Sequence, residues 1–152
     1  MKWQRGEYEI DTDPARIDLE LTHAFLATDA YWSPDVPRDI VERAIANSMN
    51  FGLYKTAPAG AGDAQAGFTR VVSDKATFAW VCDVFVLPEH RGHGLGKWLM
   101  EVVTSHPELQ GMRRWMLATR DAHGLYKQYG FDELGDPTAY MIRRDIEGYA
   151  RG

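Results

Sequence analysis

The sequence predicts a mixed α+β fold, a mostly antiparallel central sheet flanked by helices on both faces. Three features of the 152-residue chain carry that expectation. Apolar and β-branched stretches from Gln65 to Val72 and from Thr77 to Leu87 flank the short polar link Ser73 to Ala76, the pattern of a hairpin. Beyond the hairpin, strand-like and helix-like patterns alternate. Between the two regimes lies Val81 to Met100, in which an apolar run ends at Pro88, glycines follow at 92, 94 and 96, and apolar residues then recur at helical spacing.

In chain order, Tyr8 to Ile10 reads as a short first strand. Asp13 is suited to cap a helix that has Pro14 at its first position, with Ile17, Leu21, Ala24, Phe25 and Thr28 facing inward. A loop with two prolines and two adjacent aromatics, Tyr31 and Trp32, leads to a second helix from about Arg38, whose inner face is Ile40, Val41, Ala44 and Ile45. Phe51 to Lys55 reads as a strand and Thr56 to Asp63 as a glycine- and alanine-rich loop. After the hairpin and the glycine loop, a helix carries Trp98, Leu99, Val102 and Val103 on one face and stops before Pro107. A strand at Arg113 to Ala118, a short tyrosine-bearing helix and a closing strand from Thr138 to Arg143 complete the pattern. One domain is expected over 1–152, with a loose tail from about 145 to 152.

Apolar residues make up 45% of the chain and charged ones 26%, as in water-soluble globular proteins. No apolar run approaches the roughly 20 residues that span a bilayer, and Met1 to Glu7 has no signal-peptide core. No membrane contact and a cytoplasmic location are therefore expected, and a lone cysteine, Cys82, is consistent with a reducing compartment. The formal charge of −5 weighs against nucleic acid and fits a cationic partner such as an amine.

The glycine loop is the most informative stretch. Glycines at 92, 94 and 96 leave main-chain N–H groups bare at a helix start, where the helix dipole and Arg91 add positive charge, so a phosphate or pyrophosphate is the favoured ligand. A Walker loop is excluded because Arg91 and Trp98 stand where it requires glycine and Ser or Thr. A dinucleotide fingerprint fails as well, because Lys97 or Leu99 would occupy its third glycine.

What remains is Arg91-x-x-Gly94-x-Gly96 after the strand end Val84-x-Val86-x-Pro88-Glu89. This resembles the R/Q-x-x-G-x-G/A signature of the GNAT superfamily of N-acetyltransferases. An independent second match, Leu125-Tyr126-x-x-Tyr129-Gly130-Phe131, resembles that family's tyrosine helix closing on Gly-Phe. Seven residues before the tyrosine, where many relatives carry Asn, this chain has Thr119.

The resemblance implies the GNAT fold and transfer of acetyl from acetyl-CoA, as cosubstrate, to a primary amine of a small molecule or peptide by direct attack. It implies that Arg91, Gly92, His93, Gly94, Leu95, Gly96 and Lys97 hold the CoA pyrophosphate. It further implies that Phe85, Val86 and Leu87 offer main-chain groups to pantetheine, an N–H near Phe85 serving the oxyanion. Tyr126 matches the general acid, with Tyr129 as its substitute. Tyr31 and Trp32 are placed as acceptor contacts, against the alternative that both cap the core.

Asp83 is the one charge in its apolar strand and needs compensation. It either faces the acceptor, drawing in a cationic amine and taking its proton, or pairs with a buried Arg or His. The five histidines, His23, His90, His93, His106 and His123, show no metal-ligand spacing, and no metal is expected. The alternative to an enzyme is a GNAT-fold protein that binds CoA or acyl-CoA as a sensor or subunit without turnover. A homodimer is among the expectations, since dimers are frequent in relatives.

Overall fold

The structure is a computed structural model that describes residues 1–59 and 61–149. Strands β1 (Lys2–Arg5) and β2 (Tyr8–Asp11) form an opening hairpin, followed by helices α1 (Leu19–Ala24) and α2 (Arg38–Ala46). Strands β3 (Met49–Lys55), β4 (Ala64–Ser73) and β5 (Phe78–Val86) come next, then helix α3 (Leu95–Ser105), strand β6 (Arg114–Met116) and helix α4 (His123–Lys127). The six strands lie in sequence order, each pair antiparallel except β5 and β6, which run parallel. The expected first strand is thus the second. Lys2–Arg5 is polar apart from Trp3 and is largely exposed at the sheet edge, so it lacks the apolar alternation that marks inner strands.

Asp13 does cap a turn, accepting from the Ala15 N–H at 2.9 Å, but that turn is a single 3-10 segment, Pro14–Arg16. The helix proper begins after Asp18, whose side chain accepts from the Leu21 N–H at 3.0 Å and whose own N–H donates to Gln65 Oε1 at 2.7 Å. This restart rotates the face. Thr22, Phe25 and Leu26 are buried, while Ala24 and Thr28, expected inside, are exposed. The helix ends in a wider turn, Phe25–Asp29, closed by the Ala30 N–H on the Phe25 carbonyl. In α2 the expected inner face holds, with Val41 buried and Ile40, Ala44 and Ile45 half-buried.

The two faces of the sheet carry separate cores. On one, α3 places Leu95, Trp98, Leu99, Met100, Val102 and Val103 against Ile10, Phe51, Leu53, Val71 and Val81. On the other, Phe25, Leu26, Val36 and Val41 meet Phe68 and Phe85, with Phe25 and Phe85 stacked at 4.0 Å. Burial of this apolar surface is the main stabilising term for both layers.

The expected closing strand from Thr138 to Arg143 does not form. Asp136 accepts from the Thr138 N–H at 3.0 Å and bends Pro137–Ala139 into a 3-10 turn. The chain from Tyr140 to Gly148 then runs exposed and without regular structure, and Tyr149 packs against the α1/α2 core. Residues 150–152 of the expected tail lie outside the described residues.

Candidate active site

The glycine loop turns on two left-handed residues, Gly92 at φ 85° and Gly94 at φ 70°, the latter capping α3. A Cβ added at 92, 94 or 96 would meet nothing within 4 Å, so the space above the loop is open. Among the described residues no N–H from Gly92 to Lys97 donates to a carbonyl; the first helical bond is from the Trp98 N–H to the Gly94 oxygen at 3.0 Å. These bare donors, at the positive end of an 11-residue helix, are placed where the sequence led us to expect an anion. Val86, His90, Arg91, Gly92, Gly94, Leu95, Gly96, Lys97 and Leu125 line a cleft of about 530 Å³ there. Arg91 is anchored by its Nε–H on the Val86 carbonyl at 2.9 Å. His93 is not on this lining; its ring lies 6.2 Å from that of Tyr8, and His90, which shares a hydrogen bond with the Tyr8 hydroxyl, faces the cleft instead.

Beside the cradle the sheet opens. Strands β5 and β6 pair only from Phe78/Arg114 to Trp80/Met116, and beyond that point they part. The main-chain groups left free differ from expectation. Leu87 already donates its N–H to the Ala66 carbonyl at 2.8 Å, and the Phe85 carbonyl faces Gly67, where an added Cβ would approach it to 2.6 Å. Both residues therefore point their main chain toward β4. By alternation, the groups that face the opening are those of Val84 and Val86, the Val86 carbonyl already being held by Arg91.

Asp83 sits on a β-bulge. Between the pairs Phe68/Phe85 and Arg70/Cys82 the register shifts, and Asp83 takes a φ of 57°, a left-handed conformation that Asp tolerates better than most residues. The bulge aims its carboxylate at two donors: the Arg70 guanidinium binds Oδ2, and the Trp32 indole N–H donates to Oδ1 at 2.9 Å. With 20% and 11% of their side chains exposed, Arg70 and Asp83 are an ion pair, the pairing alternative offered for Asp83, and Asp83 also borders the cavity in this opening. Arg70 was not singled out from sequence, although it shows the same signal as Asp83, a lone charge within an apolar strand.

Tyr31, Trp32, Trp80, Asp83, Thr119, Asp121 and Tyr126 line one cavity of about 280 Å³ in this opening. Tyr31 and Trp32 are 40% and 41% exposed, so they do not cap the core. Tyr31 accepts from the Arg120 N–H at 2.9 Å and lies under the Arg120 guanidinium at 3.8 Å, which fixes its ring. Burial, with the nearby Tyr31 and Asp121, pushes the Tyr126 phenol up to about 12, so it is protonated at neutral pH. Its hydroxyl holds no hydrogen bond among the described residues. Tyr129, by contrast, donates to the Lys97 carbonyl at 2.7 Å and pins α4 to α3. Burial also pushes the Cys82 thiol up to about 12, which disfavours a thiolate nucleophile in this strand. No described cluster of three or more His, Cys, Asp or Glu could hold a metal ion.

A sheet that splays beside a glycine cradle defines the class, and sequence comparison names it: residues 56–133 match the GNAT acetyltransferase domain. The chain belongs to the GNAT acetyltransferase family. It is 35% identical over 140 residues to a Gibberella zeae protein that carries the name acetyltransferase, a match covering 82% of this chain and 78% of that one. A crystal structure of a GNAT-family protein from Xanthomonas campestris pv. campestris superposes with a TM-score of 0.87 at 44% identity, over 97% of this chain and 100% of that one. A Clostridium acetobutylicum protein solved with acetyl-CoA shares the fold, with a TM-score of 0.64 at 12% identity over 94% of this chain and 98% of that one. No described helix is long and apolar enough to cross a membrane.

Proposed function

We propose that the chain is an N-acetyltransferase that moves the acetyl group of acetyl-CoA to a primary amine of a small molecule or peptide by direct attack, with Tyr126 as general acid. One observation carries this reading: Tyr31, Trp32, Asp83 and Tyr126, from three separate stretches, face a single cavity in the opening between β5 and the segment after β6. The cradle beside it suits a pyrophosphate, because side-chain bulk is missing where that group would rest. The bound cosubstrate supplies the thioester that the amine attacks.

The chain's own residues then divide the work. Asp83 and Asp121 make the cavity attractive to an ammonium ion, while Tyr31, Trp32 and Trp80 give its organic part an aromatic wall. Both Asp83 oxygens are already engaged, so the carboxylate positions the amine and water removes its proton. The Val84 N–H, on the free edge of β5, takes the oxyanion role expected near Phe85. Tyr126 returns a proton to the departing sulfur. The lone, half-buried Cys82 agrees with work in the cytoplasm.

Thermal unfolding with acetyl-CoA, followed by an amine panel read by release of free CoA thiol, tests the reading. At about 100 times its dissociation constant the cosubstrate stabilises the native state by roughly 2.7 kcal/mol. Stabilisation with thiol release on one class of amines is the expected result. Stabilisation with no turnover on any amine would favour the CoA-binding sensor, and no stabilisation at millimolar acetyl-CoA would overturn the cofactor assignment.

A further inference from the structure

The charged side chains on the lining of the acceptor cavity are two carboxylates, Asp83 and Asp121. Two arginines stand close by, and both are committed elsewhere. Arg70 binds Asp83 through Nε and donates from Nη1 to Ser48 Oγ at 3.1 Å, and it borders a separate small chamber under α2 rather than this cavity. The Arg120 guanidinium lies over the Tyr31 ring at 3.8 Å. An acceptor that carries a carboxylate or phosphate would find no cation on the wall and would meet a charge of its own sign. The two carboxylates are not equivalent. Asp83 is balanced by Arg70, with its second oxygen held by Trp32, whereas Asp121 is exposed and enters no ion pair or side-chain hydrogen bond among the described residues. Burial, Tyr31 and Asp121 together push the Tyr126 phenol up, which sets the Asp121 charge near the acid. One uncommitted carboxylate matches one ammonium ion; a polyamine would bring further ammonium groups with no anion to meet them.

Aromatic rings supply much of the remaining wall. Tyr31 and Trp32 stand at right angles, 89° with centroids 5.1 Å apart, and both are about two-fifths exposed; Trp80 joins them on the lining. A flat ligand can stack on one of the two rings while its edge meets the other. The bond from Trp32 to Asp83 and the bond from the Arg120 N–H to Tyr31 hold both rings in place beforehand, which lowers the ordering cost of binding. At about 280 Å³ the cavity lies near the low end of small-molecule sites, which span about 300–1,000 Å³, so its occupant is small. Resting on the acetyltransferase reading above, we propose that the acceptor is a small aromatic monoamine, one ring system on a short chain that ends in a primary amine, and that Asp121 selects it over amino acids and other acceptors bearing a carboxylate or phosphate. The transfer balances for such an acceptor. The ammonium ion loses one proton to water, the new N–C bond forms as the C–S bond breaks, and the second proton leaves nitrogen as Tyr126 protonates the sulfur, giving a neutral amide, free CoA thiol and one proton in solution.

Matched pairs of acceptors decide it. Phenethylamine and phenylalanine differ only by the carboxylate, as do tryptamine and tryptophan, and putrescine stands for the polyamines. With acetyl-CoA as donor and thiol release as readout, kcat/KM is expected to be about 10²-fold or more higher for each aromatic amine than for its amino acid, with putrescine behind both amines. An amino acid or putrescine that matches the aromatic amines overturns the proposal. Asp121→Arg changes the sign of an exposed position, so the fold is kept, and it is expected to narrow the gap between amine and amino acid by about tenfold or more. An unchanged gap in that variant overturns the role of Asp121. Binding is read separately, by the change in tryptophan fluorescence when phenethylamine or phenylalanine is added to the chain with CoA, since Trp32 and Trp80 line the cavity. Phenethylamine bound in preference to phenylalanine without thiol release would uphold the selectivity and overturn the acetyltransferase reading alone. Neither binding nor turnover of either aromatic amine overturns the proposal itself.

Discussion

The Trp32 indole N–H donates to Asp83 Oδ1 at 2.9 Å, across a sequence separation of 51 residues, and so joins the loop between the first two helices to the bulge of β5. On the other oxygen the carboxylate holds Arg70. Trp32→Phe keeps the aromatic wall and removes one donor to a charged acceptor, a bond worth about 1.5–3 kcal/mol. The acceptor KM is expected to rise about tenfold or more, with the KM for acetyl-CoA unchanged. Asp83→Asn should raise the acceptor KM similarly and also lower the melting temperature, because it leaves Arg70 facing a neutral amide. Steady-state kinetics with each substrate varied in turn separates the two effects.

Tyr126 and Tyr129 are three residues apart and hold different tasks. Tyr126→Phe is expected to lower kcat by about 10²–10⁴-fold with little change in CoA affinity. Tyr129→Phe loses the bond to the Lys97 carbonyl and should cost roughly 1 kcal/mol of stability with kcat nearly intact. The reverse ranking in kcat would assign the acid role to Tyr129.

Folding raises the Tyr126 phenol to about 12 from its ordinary value near 10, which favours the protonated form in the native state. The associated stability is therefore fully present below pH of about 10 and is lost as pH rises toward 12. Chemical denaturation across that window should show a shallower decline in Tyr126→Phe than in the parent chain.

Two glycines of the cradle separate occlusion from strain. Gly96 has an ordinary φ and an open site for a Cβ, so Gly96→Val should fold well and weaken CoA binding at least tenfold by filling the cradle. Gly94→Val should weaken binding too and in addition lose about 1–3 kcal/mol of stability, because φ is 70° there. Calorimetric titration with CoA alongside thermal melts reads both quantities. Full CoA affinity in Gly96→Val would remove the loop from the site.

His106 lies buried between Trp3 and Phe51, and its Nδ1 accepts from the Glu108 N–H at 3.2 Å. Burial holds its imidazole below the usual histidine value. The neutral ring is thus favoured in the native state, and stability present above pH of about 6.5 is lost as pH falls through the lower folded value. His106→Phe, whatever its effect on absolute stability, should flatten the acid limb of a melting-temperature profile.

Local chemistry was enough to read much of this protein from its residues. Glycines at 92, 94 and 96 specify an uncrowded helix start, Pro107 specifies where α3 stops, and the period of Trp98, Leu99, Val102 and Val103 specifies its buried face, because each signal acts within a turn or two of chain. The tyrosine helix and the strand before the cradle were legible for the same reason. Contacts between distant segments were not. The bulge that gives Asp83 its φ of 57°, its pairing with Arg70 and Trp32, and the turning of the Leu87 and Phe85 main chain toward β4 all depend on which strand lies alongside which. A run of apolar residues made Thr138 to Arg143 look like a strand, yet a strand needs main-chain partners, and only the tertiary arrangement, with Asp136 bending the chain beside β6, decided that this segment has none among the described residues.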